Sequence, residues 1–289
     1  MASVPDERRL MAVLAHPDDE TLGVGGMLAY YAARGVSAHV VSATRGERGR
    51  YFTNENRPSD AEVGRVREGE LRAAARELGV RDVAFLDYLD GALDRADPRE
   101  AIARIAAHLR RVRPQVVVTF DPFGAYGHPD HIAISQFTTA AVTLAADPNV
   151  RIEGSAAHAI SKLYYFVTTQ SRWDVYQAAF KVLVSKVDTH ERHAVPWPDW
   201  AVSARIDAGA HWEDVWRAVQ QHETQIAIYG TLSELTPEQH REIWGGQTFY
   251  RVLSHVNGGR QLETDLFAGI ESPATHRDPE TADGHYPAR

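Results

Sequence analysis

The first 170 residues alternate between short apolar runs and helical segments, and this alternation limits the fold more than any other feature of the chain. The apolar runs predict strands at 10–15, 36–43, 83–86, 115–120 and 162–168. The intervening segments predict helices at about 21–34, 62–78, 98–111 and 132–146. Strands that alternate with helices through short connections form a parallel, doubly wound sheet. We therefore predict an α/β fold: a Rossmann-like, mostly parallel sheet with helices on both faces.

Beyond residue 170 the alternation weakens, and the predicted elements are two helices and one strand, at 173–187, 211–225 and 201–206. We expect them to form a smaller α+β extension on the substrate side of the core. The final segment, 272–289, is polar and rich in proline, which is typical of a mobile tail. The chain is thus interpreted as one domain over 1–271, with a core at about 8–170 and the extension at about 171–271.

The composition restricts the chemistry that such a fold can carry. The chain has no cysteine, which excludes disulfides, Cys-ligated metals and thiol nucleophiles, and leaves 14 histidines as the main transition-metal donors. The net charge of −8 argues against a nucleic-acid partner. No apolar run approaches the roughly 20 residues of a membrane span. The first residues lack an apolar signal core, so we expect a cytoplasmic protein; a homo-oligomer is left open.

The segment 15–20, AHPDDE, follows the first predicted strand and enters a helix. His16 and Asp19, three residues apart, can converge on one ion, and Asp18 between them can face a substrate. Two adjacent aspartates are costly unless a cation is near or one of them is protonated. The alternative is simple capping of the helix N-terminus.

The segment 121–131, DPFGAYGHPDH, follows the fourth predicted strand. His128 and His131 lie three residues apart with Asp130 between them. In a doubly wound sheet, loops after the strands meet at the carboxyl edge, where ligands bind. One of these histidines can complete a His–Asp–His set with an open position for water, which is the layout of a catalytic zinc site.

The two motifs together resemble those of the PIG-L/LmbE-like family of metal-dependent N-deacetylases, and most of all its mycothiol-type branch of deacetylases and conjugate amidases. Shorter segments at 44–49, 67–71, 222–225 and 263–269 add to the resemblance, which spans roughly 10–270. The conjugate amidases have a lysine shortly after the first motif, where this chain has Leu22-Gly23-Val24. This departure disfavours the amidase activity.

The resemblance implies a role for each matching position of the two motifs. His16, Asp19 and His131 are implied as ligands of zinc, with Fe(II) as an alternative in the cell. Asp18 is implied as the general base. His128 is implied as a protonated electrophilic or acid partner, with Asp130 orienting its ring.

Four further residues are implied outside the metal ligands and the acid–base pair. Tyr126 resembles a tyrosine that lies near the substrate carbonyl. Arg67, Asp90 and Glu47 are implied as substrate-binding residues, since they match positions that contact the sugar in the family. Trp197 and Trp200, by contrast, are interpreted as packing residues rather than as a platform for sugar stacking.

The implied activity is hydrolysis of the N-acetyl amide of a small N-acetylglucosamine conjugate, which releases acetate and a free amino sugar. An amide is a poor electrophile, so its hydrolysis at neutral pH requires an activated water and a stabilised oxyanion. Either Asp18 or His128 then protonates the departing amine. The alternatives are a conjugate-type amidase and a carbohydrate-binding protein of the same fold, but a pure binder would not require both Asp18 and His128. A metal phosphoesterase is weaker still, since it usually takes more ligands than these motifs supply.

Overall fold

The computed structural model describes residues 7–152, 154–179, 184–187, 189–226 and 230–270. The strands are β1 (Arg9–Leu14), β2 (Ser37–Thr44), β3 (Asp82–Tyr88), β4 (Val116–Phe120), β5 (Lys162–Val167), β6 (Val184–Val187), β7 (His190–His193), β8 (Ala204–Asp207) and β9 (Gly246–Ser254). The α-helices are α1 (Asp19–Leu22), α2 (Gly25–Ala32), α3 (Asp60–Glu77), α4 (Pro98–Val112), α5 (Gly124–Gly127), α6 (Pro129–Ala146), α7 (Gln170–Ala179), α8 (Trp212–Gln220), α9 (Glu223–Ile226) and α10 (Pro237–Gly245).

The main sheet has seven strands in the order β3-β2-β1-β4-β5-β9-β8. The first five strands are parallel, and β9 pairs antiparallel with both β5 and β8. Because the chain winds outward from β1 in both directions, right-handed crossovers place helices on both faces of the sheet. The predicted fold class, a doubly wound, mostly parallel α/β sheet, is confirmed.

The core lies in the two central strands and the helices that cover them. Strands β1 and β4 are buried along almost their whole length, as continuous apolar runs in a parallel sheet should be. Helix α4 packs against α6, and α8 packs against α2 and α3. A rigid centre of this kind holds the loops at its carboxyl edge in place.

The second half of the chain differs from the sequence prediction in two elements. The helix predicted at 173–187 ends with α7, and residues Val184–Val187 pair with His190–His193 as a two-stranded sheet. The helix predicted at 211–225 is divided into α8 and α9 by a turn at Gln221 and His222. The strand predicted at 201–206 is found as β8, and β9, where no strand was predicted, pairs with it, so that both join the main sheet. The predicted tail at 272–289 lies outside the described residues.

The loops that carry both histidine motifs meet at one edge of the sheet. His16 follows β1, and residues 121–131 follow the adjacent strand β4. The loops after β2 and β3 reach the same edge and contribute Glu47 and Asp90. Among the helices of the described residues, none combines the length and the apolar character of a membrane span.

Candidate metal centre and catalytic site

His16 and Asp19 are held by the turn that joins β1 to α1. The Asp19 Oδ2 atom accepts the backbone N–H groups of Ala15 at 3.1 Å and His16 at 2.8 Å. These bonds tie the carboxylate to the turn before the short helix and fix it beside the imidazole; they are not a helix cap, since the N-cap residue, Asp18, makes no side-chain capping bond. The second oxygen, Oδ1, lies 3.5 Å from His131 Nε2.

Three side-chain donors from two loops converge at this point. His16 Nδ1 lies 3.1 Å from His131 Nε2 and 3.8 Å from Asp19 Oδ2. Donors bound at 2.0–2.1 Å around a tetrahedral zinc lie roughly 3.3 Å from one another. The ring of His131 is stacked on Phe120, with 3.9 Å between centroids. The donor types and the distance between the two imidazole nitrogens therefore fit a divalent transition metal. Asp19 lies beside both rings through different oxygens, with Oδ2 towards His16 and Oδ1 towards His131.

The electrostatics favour metal binding at two of the three donors. Burial lowers the pKa of His131 well below its usual value, so its ring is neutral and can offer a lone pair. Burial raises the pKa of Asp19 to about 7, so a neighbouring cation would favour its ionised form. At the third, burial opposes a charge on His16, yet its bonds to Asp130 and Asp90 raise its pKa well above the usual value, so a metal would have to displace a proton from that ring. His128 is the geometric alternative to Asp19, since ligand atoms of His16, His128 and His131 lie within 4.8 Å of one another.

The other nitrogen of His16 contacts two buried carboxylates. Its Nε2 lies 3.1 Å from Asp130 Oδ2 and 3.2 Å from Asp90 Oδ1. Asp130 also accepts the backbone N–H groups of Gly91 at 2.7 Å and Leu93 at 3.0 Å. We predicted that Asp130 orients His128; the structure instead places its carboxylate on His16. The physical reason is the turn at 91–93, whose N–H groups draw the carboxylate away from the ring two residues before it.

His128 is the N-cap residue of α6, and the capping hydrogen bond fixes the orientation of its ring. Its Nδ1 accepts the backbone N–H of Asp130 at 3.2 Å, so the neutral ring carries its proton on Nε2. Burial, with the charge of His16 as the next cause, lowers the pKa of His128 to about 4. The protonated His128 expected from the family is thus replaced by a neutral ring that presents an Nε2–H donor.

Asp18 has a backbone conformation that is unusual for a residue other than glycine, with φ 107° and ψ −23°. Its N–H donates to Glu20 Oε2 at 2.9 Å, and its Oδ2 accepts Arg67 Nη2 at 3.1 Å. Its carbonyl accepts the Thr21 hydroxyl at 2.8 Å. Burial raises the pKa of Asp18, while Arg67 acts in the opposite direction. These bonds therefore hold the Asp18 carboxylate in one orientation. It lies beside the candidate metal ligands but is not one of them.

Glu20 and His222 form a buried pair behind Asp18 that the sequence motifs did not reveal. His222 Nε2 lies 2.6 Å from Glu20 Oε1, and both side chains are almost fully buried. Burial opposes a charge on His222, yet Glu20 raises its pKa above the usual value. Glu20 ends the first motif and His222 opens the 222–225 segment, but sequence alone does not indicate that they touch.

The residues predicted to bind substrate have polar contacts within the protein. Arg67 donates to the carbonyl oxygens of Pro17 and Gly46 as well as to Asp18. Glu47 Oε1 accepts the N–H of Asp90 at 2.9 Å. The bond to His16 lowers the pKa of Asp90 to about 2, against the effect of burial. None of Arg67, Glu47 and Asp90 lines the main cavity of the described residues, and their contact with substrate stays a prediction.

A cavity of about 150 Å³ adjoins the candidate metal site. Asp18, Asp19, His131 and Tyr126 line its inner end. Burial raises the pKa of Tyr126 well above its usual value, so the phenol keeps its proton and can donate a hydrogen bond. The cavity thus brings the Asp18 carboxylate, two candidate metal ligands and a phenol donor to a single binding space.

Tyr126 lies on a strained loop that is held in place by hydrogen bonds to the Asp121 carboxylate. Ala125 has φ 60° and ψ −77°, and its N–H donates to Asp121 Oδ1 at 2.9 Å. The indole N–H of Trp197 donates to Asp121 Oδ2. Trp197 is therefore a packing residue, as predicted. Trp200 is 84% exposed and does not pack, because it lies at the surface in a single helical turn after Pro198.

The fold and the site together define a doubly wound α/β protein with a candidate His/Asp metal site at the carboxyl edge of its sheet. The family described as PIG-L: GlcNAc-PI de-N-acetylase matches residues 11–142. A "1D-myo-inositol 2-acetamido-2-deoxy-alpha-D-glucopyranoside deacetylase" from Nocardioides sp. is 36% identical, over 91% of this chain and 99% of the relative. The chain therefore belongs to the PIG-L family, and the predicted family is confirmed.

Two solved structures share the fold. The hydratase GalB from Pseudomonas putida superposes with a TM-score of 0.64 at 22% identity, over 87% of this chain and 99% of its own. The N,N'-diacetylchitobiose deacetylase from Pyrococcus horikoshii has a TM-score of 0.63 at 20% identity, over 86% and 84%. Since one is a hydratase and the other a deacetylase, the fold alone does not select the reaction.

Proposed function

We propose that this protein is a metal-dependent N-deacetylase that hydrolyses the acetamide of a small N-acetylglucosamine conjugate to acetate and a free amino sugar. The observation that carries the proposal is the convergence of His16, Asp19 and His131 beside Asp18 at the inner end of the cavity. Membership of the PIG-L family supports it, as does the deacetylase activity named for the Nocardioides relative.

Zinc is the first candidate for the metal, with Fe(II) as the alternative, because two imidazoles and one carboxylate suit both ions. A divalent ion held by His16, Asp19 and His131 would supply Lewis acidity to water and to the acetyl carbonyl. Asp130 and Asp90, on the far side of His16, would fix its ring and its tautomer.

Asp18 acts as the general base in this proposal. Its carboxylate removes a proton from the water that attacks the acetyl carbon. Arg67 holds Oδ2 in place, and burial keeps the pKa of Asp18 above that of an ordinary carboxyl, which brings it closer to the value that suits a base at neutral pH. The conjugate acid of Asp18 can then deliver the proton to the amine that leaves.

His128 and Tyr126 stabilise the developing oxyanion. The neutral His128 ring presents Nε2–H, since Nδ1 accepts the Asp130 N–H. The protonated Tyr126 phenol lines the cavity; His128 lies behind that lining, with 6.3 Å between the centroids of the two rings. Fixed donors of this kind favour the tetrahedral state over the planar amide.

An end-point assay on purified protein tests the proposal. Protein loaded with Zn(II) or Fe(II) is incubated with methyl N-acetylglucosaminide and with N-acetylglucosamine linked to inositol, malate, lipid and peptide. We expect equal amounts of acetate and amine from at least one conjugate. Asp82→Asn, at the amino end of β3, should act like the wild type. Metal-loaded, folded protein that releases no acetate from any conjugate would refute the proposal. Cytoplasmic location and a homo-oligomer stay predictions.

A further inference from the structure

Arg172 lines the cavity, and its guanidinium occupies space left by the missing side chain of a glycine. It lies in the first turns of α7, and its Nη2 donates to the carbonyl of Ile243 at 2.9 Å. A Cβ atom added at Gly246 would lie only 2.5 Å from Arg172 Nη1. The glycine therefore leaves the space that the guanidinium occupies, and the carbonyl of Ile243 fixes one side of it.

No carboxylate of the described residues forms a salt bridge with Arg172, although Glu242 and Tyr176 act on its charge from a greater distance. Within those residues its hydrogen bond is to a backbone carbonyl, whereas Arg67 pairs with Asp18 and Arg251 pairs with Glu263. Burial, with the nearby charge of Arg205 as a further cause, lowers the pKa of Arg172 to about 10. The group remains a cation at neutral pH, and desolvating it without a counter-ion is unfavourable.

Gln247 adds to the same wall a polar group whose oxygen lacks a hydrogen-bond partner in the described part of the chain. It follows Gly246, lines the cavity and is 5% exposed. Its Nε2 donates to the Trp244 carbonyl at 3.5 Å, while its Oε1 has no hydrogen-bond partner within the described residues. Neighbouring Thr248 is satisfied, since its hydroxyl donates to Val167. Among the described residues, the cavity wall thus contains a buried, unpaired acceptor and, beside it, a cation without a salt bridge.

Aromatic side chains line much of the remaining cavity wall. Phe120, Phe166 and Trp173 contribute to it, and Trp173 is 7% exposed. A ligand that reaches Arg172 is therefore largely shielded from water, which strengthens a charged hydrogen bond. Arginine matches carboxylate and phosphate oxygens in a bidentate geometry that lysine does not reproduce.

We propose that Arg172 and Gln247 form a subsite for the part of the substrate remote from the acetyl group, and that this subsite binds an oxyanion carried by the amino-sugar conjugate. A carboxylate and a phosphate share this chemistry. Gln247 accepts a hydrogen bond from a hydroxyl beside the anion. The inference rests on the proposed function and deepens it, because the glycoside named for the Nocardioides relative carries a neutral inositol.

Matched substrates and variants test the subsite. The anionic substrates are N-acetylglucosamine linked to malate and to inositol phosphate; the neutral ones are the inositol conjugate and the methyl glycoside. We expect kcat/KM to favour at least one anionic substrate by more than about tenfold. Arg172→Met should abolish this preference, because kcat/KM falls more for the anionic substrates than for the methyl glycoside, and Arg172→Lys should restore part of it. The preferred anion distinguishes carboxylate from phosphate.

Arg205→Met is the matched control, because Arg205 carries the same charge nearby but does not line the cavity. It should retain the preference. Two results would overturn the subsite. One is a wild type that uses the neutral inositol conjugate as well as it uses both anionic substrates. The other is an Arg172→Met variant whose ratio of kcat/KM between anionic and neutral substrates is unchanged.

If no conjugate releases acetate, the proposed function is wrong. The anion subsite is then tested separately, by measuring whether the protein binds an anion. Malate and inositol 1-phosphate are then titrated calorimetrically into wild type and Arg172→Met. Binding of either anion that the variant loses supports the subsite. Equal binding to both proteins, or binding to neither, overturns it.

Discussion

Asp130 shows how one hydrogen bond changes the role expected of a residue. Its carboxylate contacts His16 Nε2, so it should act on the metal affinity rather than on His128. We predict that Asp130→Asn weakens binding of Zn(II) by about 10–100-fold, as is typical when a carboxylate behind a ligating histidine is lost. Competition with a chelating dye measures the affinity. Asp97→Asn, which makes the same change at a helix cap away from the site and keeps the capping oxygen, serves as the control; an unchanged zinc affinity in Asp130→Asn would contradict the assignment.

His222 should act on the orientation of Asp18. Without it, the Glu20 carboxylate loses the donor that holds it against the Asp18 N–H. We predict that His222→Leu lowers kcat by up to about 100-fold, because small displacements of a catalytic group cost that much, and leaves the metal content unchanged. His222→Gln, which keeps a donor, should recover part of the rate. Equal loss in both variants, or loss of metal, would argue for a merely structural role.

The sequence indicated the residues of the site better than their partners. His16, Asp18, Asp19, His128 and His131 lie in two short motifs at strand ends, and the sheet brings those ends together. The contacts of Asp130, Glu20 and Arg172 depend on loops and helices that are distant in the chain. Local spacing carries no signal for such contacts, so only the structure reveals them.

At the scale of elements, apolar runs predicted the parallel strands well, because a strand buried on both faces must be apolar throughout. The place of β9 was not predictable. It lies between β5 and β8, and it pairs with β5, from which it is separated by about ninety residues of chain. No local sequence pattern encodes such a pairing. Residues 184–187 were predicted as helix, yet they form a hairpin with 190–193.

The segment after β9 is tied to β5 by a buried ion pair, and we predict that it matters for stability. Lys162 is fully buried and lies 2.7 Å from Glu263 Oε1. Glu263→Gln leaves that ammonium without a counter-charge, which should lower the free energy of unfolding by about 3–5 kcal/mol in urea titrations. Glu100→Gln, in an exposed pair with Arg104, should cost less than about 1 kcal/mol.

The same pair should make stability depend on pH. Burial acts against ionisation of Glu263, but the bonds from Lys162, Tyr164 and Asn257 lower its pKa below 4.5. A carboxyl whose pKa is depressed by folding stabilises the protein above its unfolded pKa, and this contribution is lost as the pH falls through the folded pKa. The difference between wild type and Glu263→Gln should therefore shrink below about pH 4.5. A difference that stays constant from neutral pH to acid would contradict this account.

At the scale of the whole molecule, the interpretation of 1–271 as one domain predicts the outcome of truncation. β8 and β9 extend the sheet beyond β5, so a chain that ends at 170 exposes an apolar strand edge. We expect a chain ending at 271 to keep the wild-type Tm, and a chain ending at 170 to aggregate. Calorimetry and size-exclusion chromatography measure both; a folded, monomeric 1–170 would show that the core is a separate domain.

The central claim is that Asp18 is the base beside a metal held by His16, Asp19 and His131. The most direct test is acetate release and metal content measured on the same preparation of Asp18→Asn. The account predicts a full complement of metal and a rate lower by about 10²–10⁴-fold. His131→Ala, measured in parallel, should lose the metal itself. Near-normal acetate release by Asp18→Asn, with metal still bound, would contradict the claim.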